Sequence, residues 1–238
     1  MRLALADLAG RRGRGVRVAV IDSGVHVAHP HVQGVAGGVG IDAAGHVIAD
    51  YVDRLGHGTA VTAVIREKAP EAEILIVKVF DRELRTTGDA LVGALAWARG
   101  AGVRLINLSL GTENPAHETA LARELEAIRA SGIDVVAAGP QGGVRWLPGA
   151  IPGVVAVELD TTLARDVAEV SVDDDAVRMR ASGYPRPIPG VPPERNLKGL
   201  SFAVANATGL LACALEGLPS GTAIAAALGS VRSTSPSA

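Results

Sequence analysis

Three side chains whose types together perform nucleophilic catalysis stand in glycine-rich settings. They are Asp22 in Val-Ile-Asp22-Ser-Gly, His57 in Gly-His57-Gly-Thr and Ser201 in Gly199-Leu-Ser201-Phe-Ala. A serine hydroxyl is a weak nucleophile until a base takes its proton, and an imidazole base needs a third group to hold its tautomer. Ser201 opens an almost wholly apolar run from Phe202 to Leu215, which reads as a helix buried on most faces. The first turn of such a helix presents unpaired N–H groups and the positive end of the dipole, where an oxyanion can form. Each residue also has a plainer reading. Ser201 fits an N-cap on a core helix, His57 a packing or capping histidine, and Asp22 an ordinary strand exit.

These residues need elements to hold them. Val16 to Ile21 reads as a buried parallel strand with Asp22 at its carboxyl end, where sites assemble in open α/β sheets. Gly37 to Asp53 reads as a hairpin or loop, and the run Ala60 to Ile65 as a short helix after His57. Strands are then expected over Glu73 to Val79, Arg104 to Leu108, Ile133 to Ala137 and Val154 to Glu158. Helices are expected over Thr87 to Arg99 and Pro115 to Ala130. This alternation predicts an α/β fold, a mostly parallel sheet flanked by helices on both faces. Residues 171 to 198 are the least regular part, with a proline-rich loop delivering the chain to Gly199.

The chain has 238 residues, 48% of them hydrophobic, which suits one well-buried domain over 1–238. Residues 1–15 are expected as a flexible lead-in and 231–238 as a disordered tail. With 23 basic against 25 acidic residues, nothing argues for a nucleic-acid or membrane partner. No Gly-x-Gly-x-x-Gly follows a strand and no Walker-type Gly-Lys-Ser/Thr occurs, so nucleotide binding is not expected. His26, His29 and His31 match no zinc spacing, and Asp173-Asp174-Asp175 reads as a charged turn before a strand. No metal or other cofactor is expected. The single Cys213 excludes an intrachain disulfide. The N-terminus lacks a signal peptide and no stretch is long enough to span a membrane, so the chain is read as cytoplasmic.

The chain order Asp22, His57, Ser201 is that of the subtilisin arrangement of the triad. From about Val16 to Gly217 the sequence resembles the subtilisin-like serine proteases. The matching pieces are Val-Ile-Asp22-Ser-Gly, Gly-His57-Gly-Thr, Ile-Asn107-Leu-Ser109-Leu-Gly111, Val-Val-Ala-Ala-Gly139 and Gly199-Leu-Ser201-Phe-Ala. The resemblance implies a peptide or protein substrate, attack by Ser201, proton transfer through His57 and an orienting role for Asp22. It further implies that Ser109-Leu110-Gly111 pairs with an extended substrate and that Thr86 to Gly88 forms the opposite strip. Ala137-Ala138-Gly139 and the stretch around Trp146 would complete the main specificity pocket. Trp146 either fills that pocket, selecting small side chains, or packs outward.

The departures bear on catalysis. Pro140 stands where the family has an oxyanion-donating Asn, and proline has no N–H. Gln141, beside it, is a substitute donor. Leu200 replaces the family's Thr before the serine, and Ala205-Asn206 its Pro-His. The calcium loop after the histidine and a pro-domain ahead of Val16 are both expected to be absent. The expected activity is a selective endopeptidase, trimming a leader from a precursor peptide. The alternative is a pseudoprotease that keeps the groove as a peptide-binding module.

Overall fold

The computed structural model describes residues 1–174, 176–192 and 195–234, with side chains through residue 231. Among them a sheet of ten strands carries the molecule, in the order β1-β9-β10-β8-β7-β6-β2-β5-β3-β4. The strands are β1 (Arg2–Ala4), β2 (Arg17–Asp22), β3 (Gly37–Ile41), β4 (Val47–Ile48), β5 (Glu73–Lys78), β6 (Leu105–Leu108), β7 (Asp134–Ala138), β8 (Val155–Leu159), β9 (Val167–Asp173) and β10 (Ala176–Ala181). From β10 through β3 every pairing is parallel, and antiparallel pairs occur only towards the two edges. The helices are α1 (His57–Lys68), α2 (Gly88–Gly100), α3 (Glu118–Ala130), α4 (Leu200–Leu215) and α5 (Ile224–Thr234).

The side-chain period of two splits the central strands between two cores. Val18 and Val20 of β2 pack with α1, α4 and α5, whereas Ala19 and Ile21 pack with α2 and α3. A strand covered on both faces needs apolar residues at every position, which is why β2 reads as a continuous run. Helix α4 is buried at every position from Phe202 to Leu215, enclosed by the sheet, α1 and α5. Its all-round hydrophobicity is the signature of such a central helix.

Register then gathers the loops. Strand β2 comes first in the chain among its neighbours and is flanked by β5 and β6, so it is a topological switch point. Ile21 lies opposite Leu108, Leu108 opposite Ala137, and Asp22 opposite Lys78. Asp22, Ser109, Ala138 and the loop after Lys78 therefore leave the sheet along one edge.

Some details differ from expectation. Residues 2–4, expected in a flexible lead-in, pair as β1 with Glu169, Ala168 and Val167 of β9. Antiparallel pairing of β9 with β10 makes 167–181 a hairpin; the strand expected after the charged turn is β10, whereas β9 ahead of it was not expected. Asp174 turns that hairpin at φ 53°, and Asp175 lies outside the described residues. Helix α5 carries the chain to Thr234, so of the expected tail 235–238 fall outside the described residues. No described helix is long and apolar enough to cross a membrane.

Candidate active site

Asp22 ends β2 completely buried, and its Oδ1 lies 2.7 Å from His57 Nδ1. The same oxygen accepts the Ser23 N–H at 2.7 Å, while Oδ2 is buried without a hydrogen-bond partner. A buried carboxylate oxygen left unpaired is costly, and such costs concentrate at working sites. The half-buried His57 ring stacks at a tilt on Phe202, with ring centroids 5.6 Å apart. Burial would pull the His57 pKa down. The hydrogen bond and charge of Asp22, helped by the charge of Asp53, outweigh it and leave the pKa raised.

Asp53, which the sequence reading passed over, anchors the start of α1. Its carboxylate accepts the N–H groups of Leu55, Gly56 and Thr59 at 2.8–2.9 Å, together with the hydroxyls of Ser23 at 2.9 Å and Thr59 at 2.6 Å. Ser23 in turn accepts the Gly58 N–H at 2.8 Å, tying the exit of β2 to the helix that carries His57. Burial opposes ionisation of Asp53, but these donors win and its pKa is lowered. An Asp ahead of a helix start is a capping signal, and that signal was available in the sequence.

Ser201 lies in the first turn of α4. Its Oγ donates to the Ser109 carbonyl at 3.1 Å, and among the described residues no hydrogen bond joins it to His57. The Ser109 hydroxyl donates to the Ser201 carbonyl at 3.3 Å and accepts from Asn107 Nδ2 at 2.7 Å. Asn107 Oδ1 accepts the Thr208 hydroxyl at 2.9 Å. This buried chain fixes α4 against β6, although its members lie about a hundred residues apart in sequence.

His57 and Ser201 share a cavity of about 440 Å³. One wall is Ser109-Leu110-Gly111-Thr112 with Trp146 and Ala138, and the other runs from Arg85 to Gly88. Phe80, Leu84, Leu91, His117 and Leu200 complete the lining. Trp146 packs directly on the Gly111 backbone. Of the other expected pocket residues, Ala137 and Gly139 are buried within or behind β7 and do not line the cavity. Pro140 is exposed just beyond them. Gln141, expected to supply an oxyanion donor, is placed otherwise. Its Oε1 accepts the Leu159 N–H at 2.8 Å and its Nε2 donates to the Leu159 carbonyl at 3.3 Å, so the side chain is held on the β8 backbone and does not line the cavity. His26 is exposed, and His29 and His31 make an edge-on ring contact at 5.2 Å. Among the described residues no group of three or more His, Cys, Asp or Glu side chains is disposed to hold a metal ion.

Residues 13–228 match the sequence model of the subtilase family, peptidase S8. Subtilisin DY of Bacillus licheniformis is 31% identical over 143 residues, covering 56% of this chain and 50% of that protein. The chain thus spans half the length of this relative. A crystal structure of a cold-adapted subtilisin-like serine proteinase superposes with a TM-score of 0.70 at 22% identity, covering 93% of this chain and 82% of the other. The structure of the prenylagaramide maturation protease PagA superposes with a TM-score of 0.66 at 25% identity, covering 89% and 79%. The chain belongs to the subtilase family.

Proposed function

We propose that this subtilase is a serine endopeptidase in which Asp22, His57 and Ser201 act as a triad. The observation that carries the reading is the 2.7 Å contact of buried Asp22 with His57 at the edge of the cavity that also holds Ser201. Ser201 attacks the scissile carbonyl as His57 takes its proton, and His57 then passes the proton to the leaving amine. Asp22 holds the imidazole in its tautomer and stabilises the imidazolium. The N–H of Ser201, in the first turn of α4, faces the developing oxyanion with the helix dipole behind it. The backbone strips at 86–88 and 109–111 flank an extended substrate, which they can hold by strand addition.

The substrate is inferred to be a selected peptide, such as a precursor that loses its leader. The likeness to a maturation protease supports this, as does an oxyanion position filled by Pro140. The processing takes place, on this reading, in the cytoplasm. Hydrolysis of a positional peptide library by the unmodified protein, and its loss in Ser201→Ala, is the test. Turnover by a clean Ser201→Ala preparation contradicts it.

A second reading is a peptide-binding module without turnover. It is favoured by the Ser201 hydroxyl being directed to Ser109, together with the missing donor at residue 140. Retention of Asp22 and His57 in contact favours the enzyme.

A further inference from the structure

On the reading of the cavity as a substrate groove, we propose that Arg85 and His117 form a subsite for a carboxylate side chain of the substrate. The protein would then select acidic peptides.

The ionisable side chains lining the groove are of one kind: Arg85, His57 and His117 line it, and no Asp or Glu does. Of the acidic residues around it in sequence, Glu83, Asp89 and Glu113 do not line the cavity, and two others are engaged in ion pairs. Asp81 pairs with Arg54 and Lys78, each at 2.9 Å, and Glu118 with Arg145 at 2.6 Å. Among the described residues Arg85 has neither an ion-pair nor a hydrogen-bond partner, and it sits on an exposed loop at the groove wall. A guanidinium with no internal partner beside an apolar groove is free to take a carboxylate from the substrate, with charge-assisted hydrogen bonds.

His117 faces it from the other wall, and its proton can be placed. Asn114 Oδ1 accepts the Ala116 N–H at 3.0 Å, so the Asn114 amide nitrogen is the group 3.3 Å from His117 Nε2. That nitrogen is a donor, which makes Nε2 the acceptor and leaves the ring proton on Nδ1. Nδ1 lies over Gly88, where an added methyl group would come within 2.3 Å of it. The absent side chain at Gly88 thus lets the imidazole reach the opposite wall, where both residues line the groove. A carboxylate accepts from both groups, whereas the isosteric amide presents one oxygen and an unwanted donor.

The test is a positional peptide library in which Asp or Glu is compared with Asn or Gln at each position around the cleaved bond, products being read by mass spectrometry. The unmodified protein is expected to prefer acid over amide by about tenfold in kcat/KM at one position, less as salt is raised. Arg85→Glu should reverse that preference towards Lys or Arg, with an unchanged melting temperature, and Gly88→Ala should weaken it by displacing His117. Equal rates for acid and amide, or an acid preference that survives Arg85→Glu, would overturn the proposal. If no peptide is hydrolysed, the acid and amide sub-libraries are compared for binding to Ser201→Ala protein. Acid-selective binding there sustains the subsite while the peptidase reading fails, and equal binding overturns the subsite as well.

Discussion

Ser201 and Ser109 exchange hydrogen bonds. The Ser201 hydroxyl donates to the Ser109 carbonyl at 3.1 Å, and the Ser109 hydroxyl donates to the Ser201 carbonyl at 3.3 Å. The nucleophile is thereby parked on the strip proposed to receive substrate. A peptide pairing with that strip brings backbone N–H groups that compete for the Ser109 carbonyl. On the proposed triad, rotation of the freed hydroxyl about its Cα–Cβ bond would turn it towards His57, coupling substrate binding to alignment of the nucleophile.

The close approach of Gly58 to the turn after β2 is what brings His57 to Asp22. A methyl group at Gly58 would lie 2.3 Å from the Gly24 carbonyl oxygen and 3.1 Å from the Ser23 nitrogen. Both are backbone atoms and cannot step aside. Gly58→Ala is expected to move the start of α1, lower stability by about 1–3 kcal/mol and reduce kcat at least tenfold. Thermal melting and peptide hydrolysis check it, and an unchanged kcat contradicts the stated role of this contact.

The pH dependence follows from His57, which must be neutral to act as a base. Its pKa is raised in the folded protein by Asp22. The acid limb of kcat/KM is therefore expected above the ordinary imidazole value of about 6.5, and Asp22→Asn should move it down while lowering the rate. The linkage runs the same way. Stability from the His57–Asp22 pair is fully present below the unfolded imidazole pKa and is lost as pH rises through the raised folded value. Stability of the unmodified protein relative to Asp22→Asn, measured across this window, checks the sign.

Pro140→Asn tests the oxyanion argument. Loss of the corresponding donor in subtilisin costs about 10²–10³ in kcat, so restoring an amide should raise kcat by about tenfold if the loop keeps its path. Gln141→Ala is expected to affect stability more than chemistry, because Gln141 holds the Leu159 backbone. A kcat indifferent to Pro140→Asn, with a large loss in Gln141→Ala, would reverse these assignments.

Trp146 lines the cavity with Ser201 and lies on Gly111. If it fills the space beside the scissile bond, the unmodified protein accepts Ala, Gly or Ser before that bond. Trp146→Gly then extends cleavage to Leu, Met or Phe, since burying such a side chain is worth about 1.5–3 kcal/mol. A preference for large side chains in the unmodified protein removes Trp146 from the pocket.

What could be read from the sequence follows the range of the interactions. Val18 to Asp22 and Phe202 to Leu215 announce themselves because full burial demands unbroken apolar runs. Gly58, next to His57, marks a close approach to other backbone, and Gly56 before it a left-handed start to the helix. Of the β9–β10 hairpin the charged turn and the strand after it were legible, whereas β9 was not, because its burial does not alternate regularly. The Asn107–Thr208 bond and the seating of His117 on Gly88 join distant segments, and no local pattern encodes them. Gln141 illustrates the same limit. Its type suits an oxyanion donor, but its partner is fixed by β8, 18 residues further along.

The central claim is that Ser201 is an activated nucleophile, and covalent labelling measures this most directly. The protein is incubated with a fluorophosphonate and its intact mass and peptide map are recorded. One phosphonyl group on Ser201 is predicted, absent in Ser201→Ala and strongly slowed in His57→Ala. An unlabelled protein, or labelling that persists without His57, would contradict the triad.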